Sequence, residues 1–518
     1  MKNNFILLIS ILAAHISLAQ SSLSPEKIYG RLFTDVQMNK IFFDSKTFAD
    51  AVPKRSPKTI VADYLSIIHN PAIRFSLKLF IEENFILPSD SANAIETQTG
   101  EDIKTHINHV WDALERKPDS YLSGNSLLPL PNNYIVSGGR FREAYYEDSY
   151  FIMLGLQESG RDEMLENTVK NFAYLLSQYG YIPTANRTYY LNRSQAPFFS
   201  MMLDLLAEKK GNMVYALYQN VLQKEYDYWM DKTIAKNHVV LMPDGSKLNR
   251  YYNRDTRPRA ESFYEDSTLA INYAEERKSL YRNLRSCTES GWGLSTRWFA
   301  DGENISTIQV TNLISVDLNC LLYHLERTLA RSYKETGDLL KMNYYNQIAE
   351  KRKNAINKYC FNKNDSWYYD YNISEKNFST EKTLAGITPL FFTVTTESSA
   401  KEIVAVLQKD FLKPGGLITT LKTTGHKWDA PFGHAPLQYM AIKGLENYGD
   451  QELAKDIAIR WTQLNLKVYK TTGNLLEKYN VTEIAANEKN GGEHALQDRF
   501  ACTNGVLLKL MNTYDIKE

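Results

Sequence analysis

Cysteine is scarce. Cys287, Cys320, Cys360 and Cys502 are the only four in 518 residues, and no two of them form a C-x-x-C pair. A dense disulfide framework and the common zinc patterns are therefore excluded, and scattered core thiols are expected, although an oxidising compartment would permit one disulfide. Charge of one sign is lacking too, since Lys+Arg and Asp+Glu both number 60 and the formal net charge is zero. That leaves no electrostatic ground for nucleic acid or an anionic membrane as partner. No low-complexity linker divides the chain, and no repeat of fixed period is visible, which counts against a solenoid. The Gly-Gly pairs lack the following lysine or strand context of a phosphate-binding loop. Beyond the amino terminus no segment is long and apolar enough to span a bilayer.

The amino terminus itself reads as a processing segment. Lys2 precedes an almost wholly apolar run, Phe5 to Ala14, and Ser17-Leu18-Ala19 supplies a small-x-small cleavage pattern. Residues 1–19 are thus expected to be a signal peptide, with Gln20 the mature start and an exported product, periplasmic or secreted. No cysteine follows the cleavage pattern, so no lipid anchor is expected.

What the chain has in plenty is tyrosine, 34 residues in a total aromatic content of 12%. The most informative stretch runs from Ser137 to Phe151. Gly138-Gly139 allows a tight turn that side chains would block. Arg140 and Arg142 offer planar forks of donors, and Glu143, Glu147 and Asp148 offer acceptors. Phe141, Tyr145, Tyr146, Tyr150 and Phe151 offer flat apolar faces. A polyhydroxylated ring needs this mixture, with polar groups for its hydroxyls and an aromatic face for its C–H surface. The alternative is an arginine–carboxylate network that pins a helix start.

Past about residue 150 the apolar spacing is helical. Leu165, Val169, Phe172 and Leu176 lie on one face, Val214, Leu217 and Val221 repeat the pattern, and Leu453, Ile457, Trp461, Leu464 and Val468 form a longer stripe. Helical signals also cover Ile314–Ala330, Tyr344–Tyr359 and Ser399–Leu407, whereas Trp367–Tyr371 reads as a short strand. The conspicuous Arg, Asp, Glu and Trp residues fall in the loops between helix pairs: Gly180–Ser194, Arg254–Asp266, Thr288–Trp298, Gly425–Pro436 and Gly473–Asn504. One set of facing loops over a ring of paired helices explains this placement, so an all-α (α/α)6 barrel is expected. It would occupy residues 126–518, with residues 20–125 as an extension packed on it.

These loops together resemble the trehalase family of inverting glycoside hydrolases. The resemblance rests on Gly138-Gly139-Arg140-Phe141-Arg142-Glu143-Ala144-Tyr145-Tyr146, on Asn186-Arg187-Thr188-Tyr189-Tyr190-Leu191 with Arg193-Ser194-Gln195, and on Arg259 and Glu261. Glu289-Ser290-Gly291-Trp292, Trp428-Asp429-Ala430-Pro431, Glu477-Lys478-Tyr479 and Gly491-Gly492-Glu493 extend it toward the carboxyl terminus. It implies an (α/α)6 barrel around a disaccharide-sized pocket, no cofactor, and a small carbohydrate, trehalose or a related α-glucoside, as the partner of a monomer. Inversion needs two carboxyl groups roughly 6.5–9.5 Å apart, one protonating the leaving oxygen and one activating water. By resemblance Glu477 stands at the general base. Arg140, Asp148, Arg193, Gln195, Arg259, Glu261, Gly291 and Glu493 stand at sugar-binding positions.

The chain departs from the family pattern where the general acid belongs, because Gly293 replaces that aspartate. Glu147 stands in place of a tryptophan and is the candidate substitute acid. Thr184 replaces an asparagine, and the glycine run before Glu493 is shortened. Two readings follow, a glycosidase with a reshaped pocket or a sugar-binding pseudoenzyme. Restoring the carboxylate by Gly293→Asp discriminates between them, since a large gain of activity would show that the site is otherwise intact. His426 and His434 beside Asp429 suggest a metal, as Glu143, Asp148 and Asp266 suggest calcium, but the resemblance implies none and the neighbouring arginines oppose a cation.

Overall fold

The computed structural model describes residues 23–70, 74–88, 101–233, 237–483 and 500–518; residues 1–19, expected to be a signal peptide, lie outside them. Helices dominate: α1 (Ile103–Leu114), α2 (Tyr146–Glu158), α3 (Asp162–Tyr179), α4 (Phe199–Lys210), α5 (Gln219–Met230), α6 (Val316–Glu335), α7 (Leu339–Tyr359), α8 (Thr388–Phe391), α9 (Glu397–Val406), α10 (Ala435–Asn447), α11 (Gln451–Thr472) and α12 (Ala501–Tyr514). Helices α2, α4, α6, α8, α10 and α12 form a ring in which each packs on the next and α12 closes back on α2. Outside it, α1 packs on α12, α3 on α2 and α4, α5 and α7 on α6, and α11 on α10 and α12. This is the (α/α)6 barrel expected from the sequence.

Inner and outer helices differ in sequence as their positions require. Inner α2 buries every residue from Ser149 to Leu156, and α12 every residue from Ala501 to Leu508. Outer α7 buries only Tyr345, Ala349, Arg352, Ala355, Ile356 and Tyr359, a single stripe at helical spacing. The tightest contact in the ring needs glycine on both sides. A Cβ on Gly155 of α2 would stand 2.5 Å from the Gly505 Cα, and one on Gly505 of α12 would stand 2.2 Å from the Phe151 carbonyl oxygen. Backbone thus lies on backbone, with the second half of α2 against the first half of α12.

The amino-terminal stretch feeds two cores. Helix α1 places Ile103, Ile107, Val110, Trp111 and Leu114 in the barrel core. Leu32, Phe33, Val36, Phe48, Ile60, Tyr64 and Phe85 form a smaller cluster that takes in Tyr189, Tyr190 and Ala260 from barrel loops.

Some expected elements are corrected. The Val214–Val221 periodicity spans a break at Tyr218 between a short helix, Met213–Leu217, and α5. Leu217 is exposed there, so its spacing did not mark a buried face. Trp367–Tyr371 divides into two strands that pair in different ladders. All four cysteines are free and buried. No helix among the described residues is long and apolar enough to cross a membrane.

Candidate active site

The first motif turns back on itself. Gly138 and Gly139 have φ of 97° and 56°, and Gly138 and Phe141 exchange backbone hydrogen bonds of 3.1 and 3.0 Å, which puts Arg140 at the tip of the turn. The backbone N–H of Ala144 then donates to Asn186 Oδ1 at 2.8 Å, and Asn186 Nδ2 donates to the Leu128 carbonyl at 3.0 Å. So held, the chain enters α2 with Glu147 and Asp148 in its first turn, where the helix dipole favours carboxylates. At the other end of the barrel loops, strand β1 (Phe432–His434) pairs antiparallel with β2 (Lys478–Asn480), His434 opposite Lys478. This ladder delivers Glu477 beside the Trp428 loop. Asp429 locks that loop to the 290s by accepting hydrogen bonds from the hydroxyls of Ser295, Thr296, Thr420 and Thr424.

These loops enclose a cavity of about 810 Å³. Arg140, Glu147, Asp148, Arg193, Gln195, Arg259, Glu261, Gly291, Gly293 and Glu477 all line it. Glu493 lies outside the described residues. Every site position from the sequence that is described is thus brought to one cavity. Reading the sequence missed Lys427, whose Nζ stands 3.9 Å from Glu477 Oε2. It also missed Lys40, Phe43 and Lys46, which reach the wall from the amino-terminal segment.

The arginines are engaged by carboxylates. Arg193 pairs with Glu261, Arg259 forks onto Asp266 with contacts of 2.9 and 2.6 Å, and Arg140 meets Asp44 at 2.6 Å. Burial works against the Glu261 charge, but Arg193, Arg259 and Arg285 outweigh it and hold the carboxyl below its usual range. Glu143 takes Lys46 at 2.8 Å and Arg187 at 3.2 Å. These pairs take up the carboxylates of Glu143 and Asp266.

Glu147 and Asp148, on the same cavity, lack such partners. Burial, with the charges of Asp148 and Asp317 behind it, pushes the Glu147 carboxyl well above the carboxylate range, and Arg297 only partly offsets this. Arg297 is itself committed to Asp317 at 2.8 Å and Asp370 at 2.7 Å. Burial also raises Asp148 to about 6, the nearby Ser137 hydroxyl opposing and the charge of Glu477 adding to the shift. The Glu147 backbone N–H donates to Gln195 Oε1 at 3.0 Å, but its carboxyl has no hydrogen-bond partner among the described residues. It rests on Gly291: a Cβ there would fall 1.7 Å from Glu147 Oε2, and the φ of +79° favours glycine independently.

Gly293 is occupied in a different sense. A Cβ on it would lie 2.8 Å from Trp428 Cδ1. The indole is clamped by stacking on His434, centroids 3.9 Å apart, and on Trp292 at 5.4 Å. Burial, with Lys478 adding to it, lowers His434 to about 3, so this ring is a neutral packing partner. The space that an aspartate at 293 would need is therefore filled, which sets the expected outcome of Gly293→Asp. The variant should show no gain in turnover and a stability loss of about 1–3 kcal/mol from overpacking, measured by thermal unfolding beside an activity assay.

A ring of six inner helices whose leading loops gather arginine–carboxylate pairs and further carboxyls at one cavity fits a glycosidase. The comparisons narrow the class. A sequence model of the family described as Trehalase matches residues 40–515. A periplasmic trehalase of Citrobacter koseri is 42% identical over 95% of this chain and 87% of its own, and one of Salmonella dublin is 41% identical over 94% and 86%. The solved neutral trehalase of Saccharomyces cerevisiae is 26% identical with a TM-score of 0.62, covering 73% of each chain. A mannosylglycerate hydrolase of Thermus thermophilus, 13% identical with a TM-score of 0.52 over 79% of this chain and 99% of that one, shares the fold. The chain belongs to the trehalase family.

Proposed function

We propose that this protein hydrolyses trehalose, or a closely related α-glucoside, to glucose with inversion, using Glu477 as general base and Glu147 as general acid. Arg140, Asp148, Arg193, Gln195, Arg259, Glu261 and the Gly291 backbone, with Glu493, hold the sugar hydroxyls. Water held by Glu477 attacks the anomeric carbon and gives that carboxylate its proton. The glycosidic C–O bond breaks, and its electron pair takes the proton from Glu147 to leave as a hydroxyl. Glu147 ends ionised and Glu477 protonated, and exchange with solvent restores both.

One observation carries the reading: a carboxyl whose pKa burial raises well above the carboxylate range faces the same cavity as Glu477 and rests against the Gly291 backbone, two residues from the lost aspartate. The relatives' periplasmic address and the Phe5–Ala14 run support export to the periplasm or beyond. The competing reading is a sugar-binding protein without turnover, favoured by the Trp428 indole standing where the aspartate side chain would project. Glucose release from trehalose by purified protein separates them. Release well above a buffer blank is expected, and binding without release would establish the competitor.

A further inference from the structure

Behind Glu147 lies a second, much smaller cavity of about 20 Å³. Glu147 and Trp428 belong to the linings of both cavities, so the carboxyl stands in the wall between them. The inner cavity is mostly apolar, with Phe198, Leu321 and Met440 on its wall. Ser290 and Thr388 reach it too, but they commit their hydroxyl protons to the carbonyls of Cys287 and Ala385. Asp317, on α6, takes Arg297 at 2.8 and 3.1 Å and the Leu318 backbone N–H at 2.7 Å. Two carboxylate oxygens accept about four hydrogen bonds, so Asp317 keeps capacity for another.

Tyr251 is the member of this wall that folding leaves unexplained. It follows the strand Lys247–Asn249, and both of its neighbours are pinned. The Arg250 backbone N–H donates to the His238 carbonyl at 2.9 Å, and that of Tyr252 to Glu289 Oε2 at 2.9 Å. The ring is fully buried, edge-on to Trp229 and Trp298, yet its hydroxyl has no hydrogen-bond partner among the described residues. A buried hydroxyl without a partner is costly, and phenylalanine would fill the same space without that cost. Burial, with the charge of Asp317 behind it, pushes the phenol well above its usual value, Arg297 opposing and Glu147 and Glu289 adding to the shift. The hydroxyl is therefore a neutral donor at ordinary pH. A cavity of this size has room for one water, and one placed here meets three polar groups, the usual number for a buried water.

We infer that the inner cavity is a water site held by Tyr251, and that its water steadies the Glu147 carboxylate left when the acid has given up its proton. The inference rests on the reading of Glu147 as the acid. Tyr251 donates to the water oxygen, and the water donates one hydrogen to Asp317 and the other to the inner oxygen of Glu147. The proton of the resting acid is thereby left to the oxygen that faces the sugar. After transfer the same hydrogen bond stabilises a charge that Asp148 and Asp317 repel and that Arg297 only partly supports. Burial, with the charges of Asp148, Glu147 and Glu477, raises the nearby Cys502 thiol well above its usual value, so it brings no further charge. Tyr251 reaches neither the sugar nor the reacting atoms, and it acts as a positioning residue.

Tyr251→Phe deletes the hydroxyl and keeps the ring. The kcat for trehalose should fall about tenfold, the worth of one hydrogen bond to a charged group, with KM within twofold of the parent's. Cleavage of α-glucosyl fluoride, which needs no acid, should stay within about twofold of the parent's rate. The alkaline limb of the kcat profile should move to higher pH, because a donor to the carboxylate favours its charged form and losing that donor raises the pKa. Tm should fall, since the water loses a partner, whereas removing a hydroxyl that nothing pairs would leave the variant at least as stable as the parent. A crystal structure of the parent should place an ordered water about 3 Å from Tyr251 Oη. A dry cavity, or a variant with the parent's kcat and pH profile, would overturn the water site; Glu147→Gln protein still defective on trehalose would then leave the acid standing. Glu147→Gln protein that turns over trehalose as the parent does, or a parent that releases no glucose, would overturn both.

Discussion

Glu477→Gln is expected to lower turnover of trehalose by about 10²–10⁴-fold, the usual worth of a positioned proton acceptor, with sugar affinity and Tm retained. Glutamine keeps the shape and hydrogen-bonding reach of the side chain but cannot accept the proton of the attacking water. The surroundings make this a clean substitution, because the β1–β2 ladder positions residue 477 through backbone hydrogen bonds that the change does not touch. The nearest cations, Lys427 at 3.9 Å and the buried Lys478, lose an ionic neighbour. Burial, with the charge of Lys427, already lowers Lys478 to about 8 against the favourable pull of Glu477, so the variant should also release that lysine's proton more readily. Steady-state kinetics and calorimetry check the claim together. Undiminished turnover would remove Glu477 from the mechanism, and lost binding would make it a sugar ligand.

Glu147→Gln carries the second large effect. Turnover of trehalose should fall by about 10²–10⁴-fold, while α-glucosyl fluoride, whose leaving group needs no proton, should still be cleaved at close to the parent's rate. A merely structural residue would affect both substrates alike. Stability should move the other way. The folded-state pKa of Glu147 lies well above the unfolded value, so folded protein keeps a proton that the unfolded chain releases. The stability associated with this group is complete below about 4.3, the unfolded value, and is lost as pH rises toward the folded one. Glutamine abolishes that loss. The Tm of the variant relative to the parent should therefore increase as pH rises above about 4.3. A Tm difference independent of pH would show that Glu147 is not held protonated.

Much of this was legible in the sequence because the informative signals are local. A stripe such as Leu453 to Val468 declares a helix wherever it packs, and all described site residues taken from the motifs do meet in the cavity. What escaped reading depends on contacts distant in sequence. Asp44 finds Arg140 across 96 residues, and nothing in the pattern around residue 44 announces an ion pair with a motif arginine. The filling of the space beside Gly293 was equally hidden. The sequence shows an aspartate lost, but only the fold brings the distant Trp428 to stand over the glycine, held between Trp292 and His434. Leu217 makes the converse point: its spacing was helical, yet a break one residue later turned it to solvent.

The central claim is that Glu477 activates water on the side of the anomeric carbon opposite the bond that Glu147 protonates. Proton NMR of freshly mixed protein and trehalose, recorded before mutarotation, tests it most directly. Inversion at one of two α-linked carbons yields α- and β-glucose in equal amounts, and that is the expected spectrum. The α anomer alone, or no glucose at all, would contradict it.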